Sequence, residues 1–405
     1  MARRLQADKW LFAATVGLAL FGIVMVYSAS AIIAQEENHN QFIYVIKQAS
    51  WTLIGFGSMA AAMYFDYRLL CNRNLIFALL GVTVLMLLAV FGFPRVNGAH
   101  RWIKFGGFSI QPSELSKIAL AIFLAYFLEK RAGEEHQFGR TFLPCIAVTG
   151  VLAALVLKEP DLGTGLMLAA ICVTMCYSAG TRLLHLGLAA APALVVGVAM
   201  LVFVPFRFKR LLAFTDPWAY SQEQGYQVVQ SLIAVGSGGV HGLGFAQGKQ
   251  KLFFLPFAHS DFIFAVVSEE LGLVGALIIV LIFALFLWRG LRAALHAPDR
   301  FGMLLGIGIV TSIVVQALFN ISVVLSLVPN KGIPLPFISY GGSSLVPTLF
   351  AVGLLLNISK YSSYGKGAGS KASGERSVDK QRVDFRKPLS SRAGSFSVWR
   401  ERVKS

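Results

Sequence analysis

The sequence predicts an all-α integral membrane protein of about ten transmembrane helices, and three observations carry that reading. The chain is 56% hydrophobic and only 14% charged, with a mean hydropathy of +0.66. Soluble domains carry about a quarter charged residues, so lipid must cover the apolar surface that one core cannot hide. Apolar stretches of bilayer length, roughly 17 to 25 residues, lie near 10–34, 42–64, 74–93, 113–128, 141–157, 162–179, 183–204, 262–288, 302–325 and 343–358. The third observation is charge. With the N-terminus inside, the cytoplasmic segments hold Arg3, Arg4, Lys9, Arg68, Arg73, Lys130, Arg131, Arg140, Arg182, Arg289, Arg292, Arg300 and twelve more from Lys360 to Lys404, which is 24 of the 36 basic residues. The opposite orientation would violate the positive-inside rule.

These spans divide the chain into a cytoplasmic N-terminus (1–9), a ten-helix membrane domain (10–358) with a large extracytoplasmic loop (205–261) between helices 7 and 8, and a basic tail (359–405). Arg3 and Arg4, the following apolar run and Ala29-Ser30-Ala31 mimic a signal peptide. The run is long for a signal core, so it reads as an uncleaved first helix. Cys145, Cys172 and Cys176 fall inside spans, where cysteine is a small apolar filler, and Cys71 sits on a short cytoplasmic loop. No disulfide framework or zinc spacing appears. The tail is rich in Gly, Ser, Lys and Arg and nearly free of large apolar residues, so it is expected to be disordered and held near anionic lipid.

The loop between 205 and 260 is far longer than the two to eight residues that usually join helices. It carries Arg207, Lys209, Arg210, Lys249 and Lys251, a segment whose Val228, Val229, Leu232 and Ile233 suit a short interfacial helix, and a glycine-rich run from Gly236 to Gly248. That run is no nucleotide loop. Gly244 to Gln250 lacks the spacing and the Ser/Thr of a P-loop, and no strand precedes it. Its glycines read as tight turns.

In this topology every even-numbered span begins on the outer side, and four such starts are polar. The fourth begins Gln111-Pro112-Ser113-Glu114 with Lys117 one turn on, the sixth Glu159-Pro160-Asp161, the eighth His259-Ser260-Asp261, and the tenth follows Ser339-Tyr340-Gly341-Gly342-Ser343-Ser344. Ionisable groups at membrane depth are costly and mark functional sites. The plainer reading makes Ser113, Asp161 and Asp261 helix caps or first-turn residues and Glu114 with Lys117 an i, i+3 ion pair. Their gathering on one face beneath a basic loop favours a site. Backbone N–H groups at the start of span 10 suit a phosphate, and Pro329, Pro334 and Pro336 before it force irregular backbone that needs protein or a watery cavity around it.

Several runs, in order from about Asp8 to Lys360, resemble the FtsW/RodA (SEDS) family. They are Arg101-Trp102-Ile103 with Gln111 to Lys117, Glu159 to Thr164, Gln230-Ser231-Leu232 with Gly236 to Gly239, Gln250-Lys251 through Leu255-Pro256 to Ala265, and Lys331 to Ser344. The Met25 to Ser30 end of the first span resembles the division member, FtsW, more than the elongation member, RodA. Ser260 and Asn330 depart from a common threonine at each place, and neither change touches an ionisable group.

The resemblance implies a peptidoglycan glycosyltransferase that polymerises the lipid-linked disaccharide precursor, lipid II, at the outer face of the bacterial cytoplasmic (inner) membrane. It implies a class B penicillin-binding transpeptidase and other division proteins as partners, a septal location, and an essential role in polymerisation for Asp261. Chemistry is consistent with this. A sugar hydroxyl displacing a lipid diphosphate needs one carboxylate base and positive charge for the leaving group. Asp261 supplies the first; Arg101, Glu114, Lys117, Asp161, Lys249, Lys251, Ser339 and Ser343 are the candidate substrate-binding residues. A divalent cation such as Mg would share the diphosphate charge, although no dedicated ligand cluster is evident. Membrane lipid is an expected partner and nucleic acid is not. A lipid II flippase, an elongation polymerase and a scaffold for division proteins remain as alternatives.

Overall fold

The computed structural model describes the backbone of residues 7–95, 99–105, 108–202, 205–223 and 225–381; side chains are described as far as Tyr361, apart from Asn38, 105, 108, 192–196, 198–207 and 209. Twelve helices follow in order: α1 (Lys9–Asn38), α2 (Ile43–Tyr64), α3 (Arg73–Ala89), α4 (Pro112–Lys130), α5 (Leu143–Lys158), α6 (Leu162–Ala179), α7 (Leu183–Val202), α8 (Pro205–Thr215), α9 (Tyr226–Ser237), α10 (Ile263–Leu295), α11 (Arg300–Val324) and α12 (Gly342–Gln381). Each of the ten predicted spans corresponds to one helix; α8 and α9 lie within the long loop. By length and composition alone, seven of the described helices can cross a membrane: α1, α3, α5, α6, α10, α11 and α12. In α4, four charged residues, Glu114, Lys117, Glu129 and Lys130, break the apolar run, yet most of the helix is buried.

Burial defines the layers. Helices α4 and α11 sit innermost, α11 packing on α10, α6 and α4, while α1 packs on α10 and α2, α3 on α4, and α5 on α6. Outward faces are apolar, with Leu53, Leu85, Val151 and Leu281 exposed, as lipid contact demands. A short antiparallel hairpin not foreseen in the sequence, β1 (Ile103–Phe105) with β2 (Phe108–Ile110), pairs Ile103 with Ile110 ahead of α4.

Polar ties close the end of the bundle assigned to the cytoplasm. Arg289 pairs with Asp8, whose backbone N–H donates to Ser359 Oγ. Asp299 accepts from the Tyr67 hydroxyl and from Arg68 Nε, Arg300 pairs with Glu135 at 2.6 Å, and Asn357 Nδ2 donates to the carbonyls of Met63 and Phe65. These contacts join segments far apart in sequence and fix the inner ends of α1, α10 and α12.

One expectation is revised. Helix α9 turns Val228, Val229, Ser231 and Ala234 inward and packs on α10 and α11, with the Ser231 hydroxyl donating to Val324 O at 2.7 Å. Only part of the predicted apolar face, such as Ile233, remains exposed. Helix α12 continues to Gln381, into the stretch from 359 that carries the basic tail. Residues 382–405 of that tail lie outside the described residues. The chain divides into residues 1–362 and 363–405, and the bundle is wholly in the first.

The orientation follows from charge and is directly testable. A reporter fused after Lys360 is expected to be cytoplasmic, and a cysteine placed at Gly239 should react with an impermeant thiol reagent from outside. Labelling at 239 only from the inside would invert the assignment.

Candidate active site

The starts of α4, α6 and α10 and the loop before α12 converge. Asp261 precedes α10 and is partly buried. The sequence allows it to act as a cap, but the N-cap is Phe262 and no side chain caps the helix. Among the described residues no hydrogen bond reaches the Asp261 carboxylate; only its backbone carbonyl is held, by Asn320 Nδ2 at 2.7 Å. The carboxylate lies against Gly332, where a Cβ would stand 2.5 Å from Oδ2. Burial pushes its carboxyl up to about 6, with the nearby Arg101 charge pulling it down and Asp161 pushing it up.

Asp161 does cap its helix. It accepts from Thr164 N at 3.1 Å and from the Thr164 hydroxyl at 2.8 Å, and Gln111 Nε2 reaches it at 3.4 Å. Ser113 is the second residue of α4, in its first turn, and accepts from Gln111. Arg101 donates from Nε to Glu159 O at 3.2 Å and from a terminal nitrogen to Pro160 O at 2.5 Å, which ties the hairpin to the start of α6. Neither Glu159 carboxylate oxygen has a hydrogen-bond partner among the described residues. Burial and the Asp161 charge push that carboxyl up to about 8.

The ion pair expected in α4 is present and buried. Lys117 Nζ lies 2.9 Å from Glu114 Oε2, with both side chains about 5% exposed. Lys117 also donates to Gln316 Oε1 at 2.6 Å, Gln316 Nε2 donates to Pro334 O at 2.9 Å, and the Ser344 hydroxyl donates to Glu114 at 3.0 Å. The pair therefore joins α4 to α11, to the proline-rich loop and to α12. Asn320 adds a second tie to that loop through Ile333 O at 2.7 Å.

Other candidates have different roles. The Ser339 hydroxyl donates to Ser260 O at 2.6 Å and accepts from Leu335 N at 2.8 Å, so it joins the loop before α12 to the residues before Asp261. The Tyr340 N–H donates to His259 O, and the rings of Tyr44, His259 and Tyr340 pack together. Ser343 is partly exposed in the first turn of α12. The Lys249 side chain is exposed and in no ion pair among the described residues. Lys251 is buried and pairs with Glu270 at 2.6 Å, so its charge is already met within the protein. The side chains of Arg207 and Lys209 lie outside those described. Arg210 reaches Asn330 O at 3.5 Å, and burial together with the Arg101 charge lowers its pKa. No group of three His, Cys, Asp or Glu is spaced to hold a metal among the described residues.

Sequence reasoning missed Glu270, Gln316 and Asn320. Their signal was available: Gln316 and Asn320 are amides in a mostly apolar span, and Glu269 and Glu270 are the seventh and eighth residues of α10. Such groups are retained inside a membrane bundle only with partners.

The cell cycle protein family FtsW/RodA/SpoVE matches residues 9–364. A probable peptidoglycan glycosyltransferase FtsW of Geobacter metallireducens is 43% identical over 365 residues, covering 87% of this chain and 94% of the relative. Stage V sporulation protein E of Bacillus subtilis is 40% identical, covering 89% and 99%. Among solved structures, a chain from a peptidoglycan synthase complex that coordinates polymerization and crosslinking superposes with a TM-score of 0.73 at 26% identity, covering 88% of this chain and 98% of that one. The rod shape determining protein RodA of Thermus thermophilus gives 0.63 at 25%, covering 87% and 97%. Fold, motif order and extended identity agree: the chain is a multi-span membrane protein that belongs to the FtsW/RodA/SpoVE family of cell cycle proteins.

Proposed function

We propose that this chain is a peptidoglycan glycosyltransferase of the FtsW type that polymerises lipid II at the outer face of the bacterial cytoplasmic membrane, with Asp261 as its general base. The relatives named as such glycosyltransferases support the reaction class. The observation that carries the residue assignment is the Asp261 carboxylate, semi-buried and free of hydrogen bonds among the described residues, in the field of Arg101. A carboxylate used for capping or pairing has its lone pairs engaged; this one can accept a proton.

The step is a displacement. Asp261 takes the proton of the acceptor sugar hydroxyl, whose oxygen bonds to the donor's anomeric carbon while the bond from that carbon to the lipid diphosphate breaks. The diphosphate leaves as an anion that needs no proton. Positive charge must meet it, and we assign Arg101 and the exposed Lys249 to that role. Glu114 with Lys117, Asp161, Ser339 and Ser343 are assigned to substrate binding or to bracing the site, which the Lys251–Glu270 pair supports. A class B penicillin-binding transpeptidase is the expected partner, consistent with the synthase complex to which the fold is similar, and the relatives named FtsW favour a septal role. The flippase reading is less well supported, because the charged groups at the inner end pair with one another in Asp8–Arg289, Arg68–Asp299 and Glu135–Arg300.

Three outcomes follow for the purified protein. Asp261→Asn should insert at wild-type levels but lose lipid II polymerisation by about 10² to 10⁴. Because the folded state raises this carboxyl from 3.8 to about 6, ionisation costs stability as pH rises through that window, so the amide should match wild type in thermal stability below a pH of about 4, gain on it up to about 6, and exceed it by a constant margin at pH 8. Retained polymerisation would move the chemistry to Glu114, Asp161 or Glu269. The wild-type rate should fall about tenfold per unit below a pH near 6, where the base is protonated, and level off above it; an acid limb near 4 would mean an exposed base. Lys117→Ala leaves Glu114 buried and unpaired, which costs about 3 to 5 kcal/mol, and polymerisation should drop with it; wild-type stability and rate would make the pair incidental.

A further inference from the structure

The eighth predicted span is broken. Inside α10, Gly272 has φ 69° and ψ −165°, so the helix stops and restarts there. In an unbroken helix the carbonyls of Glu269 and Glu270 would accept from the N–H groups of Leu273 and Val274. Here the glycine-rich loop replaces both sides of that pairing. Leu243 N donates to Glu269 O and Gly244 N to Glu270 O, both at 3.0 Å, while Leu273 N and Val274 N donate to Gly239 O at 2.9 Å and Val240 O at 3.2 Å. Side chains at Gly238, Gly242 or Gly272 would collide with backbone across this contact.

The two acidic side chains at the break hold the rest of the loop. Glu269 accepts from Lys249 N at 2.7 Å and Gln250 N at 3.2 Å. Glu270 accepts from Ala246 N at 3.0 Å, from the Ser28 hydroxyl of α1 at 2.6 Å and from Lys251 Nζ at 2.6 Å, and Lys251 donates to Ser28 at 2.9 Å. Ser28, Lys251 and Glu270 are all buried. The N-terminal half of α10, which begins two residues after Asp261, is thereby set apart from the long spanning half and fastened to the outer loop and to α1.

We propose that the buried Lys251–Glu270–Ser28 cluster is a positioning device that holds the first half of α10 at the angle that aims Asp261 into the site. The inference rests on the assignment of Asp261 as the base. It makes Lys251 and Glu270 positioning residues that act through Asp261 without meeting substrate. It also explains why a basic residue of an outer loop is turned inward: the break leaves a helix end in a membrane protein, and a charged pair with full hydrogen bonding fixes one geometry there.

The test is lipid II polymerisation by purified Lys251→Met, Glu270→Gln, Ser28→Ala and the double variant Lys251→Met with Glu270→Gln, beside Asp261→Asn. A misplacement of about 1 Å costs about a hundredfold in rate, so the two single variants should lose kcat on that scale, with KM within about threefold. Their acid limb should move down from about 6, because a tilted half-helix lets water reach Asp261. The double variant leaves no unpaired charge and should recover most of the rate, and Ser28→Ala, which keeps the ion pair, should fall between. Wild-type kcat in the single variants, or a lower kcat with the acid limb unmoved, would overturn the positioning role. If a single variant fails to accumulate in the membrane, Ser28→Ala and the double variant decide by the same two readouts, an unmoved acid limb with wild-type kcat in both counting against it. An active Asp261→Asn would instead remove the catalytic assignment itself, whatever the cluster variants do.

Discussion

Every polar group placed at membrane depth must find its partner inside the protein, and the structure is organised by that constraint. Lipid offers no hydrogen bonds to an interrupted helix. Where α10 breaks at Gly272, a glycine-rich loop therefore supplies the missing backbone partners, and the irregular chain before α12 is met by Gln316, Asn320 and Ser339. The charged residues obey the same rule: Lys117 with Glu114 and Lys251 with Glu270 are buried only as pairs with further hydrogen bonds. Breaking such a pair costs more than replacing it whole, which gives these ties their rigidity.

Asp261 departs from this pattern, as the Glu159 carboxylate also does among the described residues. Its surroundings satisfy its backbone through Asn320 but leave its carboxylate without a hydrogen bond among the described residues. A scaffold that binds every other buried acid tightly, apart from the Glu159 carboxylate, can afford one that is poised to take a proton. Gly332 lies close against it, so a side chain there would crowd the oxygen that is to receive a substrate proton.

Much of the bundle was legible from hydropathy, because each span must satisfy the bilayer on its own and so carries its signal locally. All ten predicted spans are helices, including α4, whose four charges weaken the apolar pattern. The ion pair of α4 was legible because its partners are three residues apart. Partnerships across the chain were not. Nothing local links Lys251 to Ser28, 223 residues away, or Glu114 to Ser344, 230 residues away. For the same reason the sequence offers Lys251 as a candidate substrate-binding residue but carries no sign of its pairing with Glu270. The hairpin ahead of α4 was missed because three-residue strands leave no periodicity to detect, and the cap assigned to Asp261 failed because α10 starts one residue later than its polar sequence suggests.

The most direct measurement is a structure of the protein, with its transpeptidase partner, holding a lipid II donor and a short glycan acceptor that cannot react. The account predicts the acceptor hydroxyl within about 3 Å of an Asp261 oxygen, the reach of a general base, and the diphosphate on the Arg101 side of the site. An acceptor hydroxyl seated on another carboxylate, or a diphosphate bound at the inner end near Asp299 and Arg300, would contradict it.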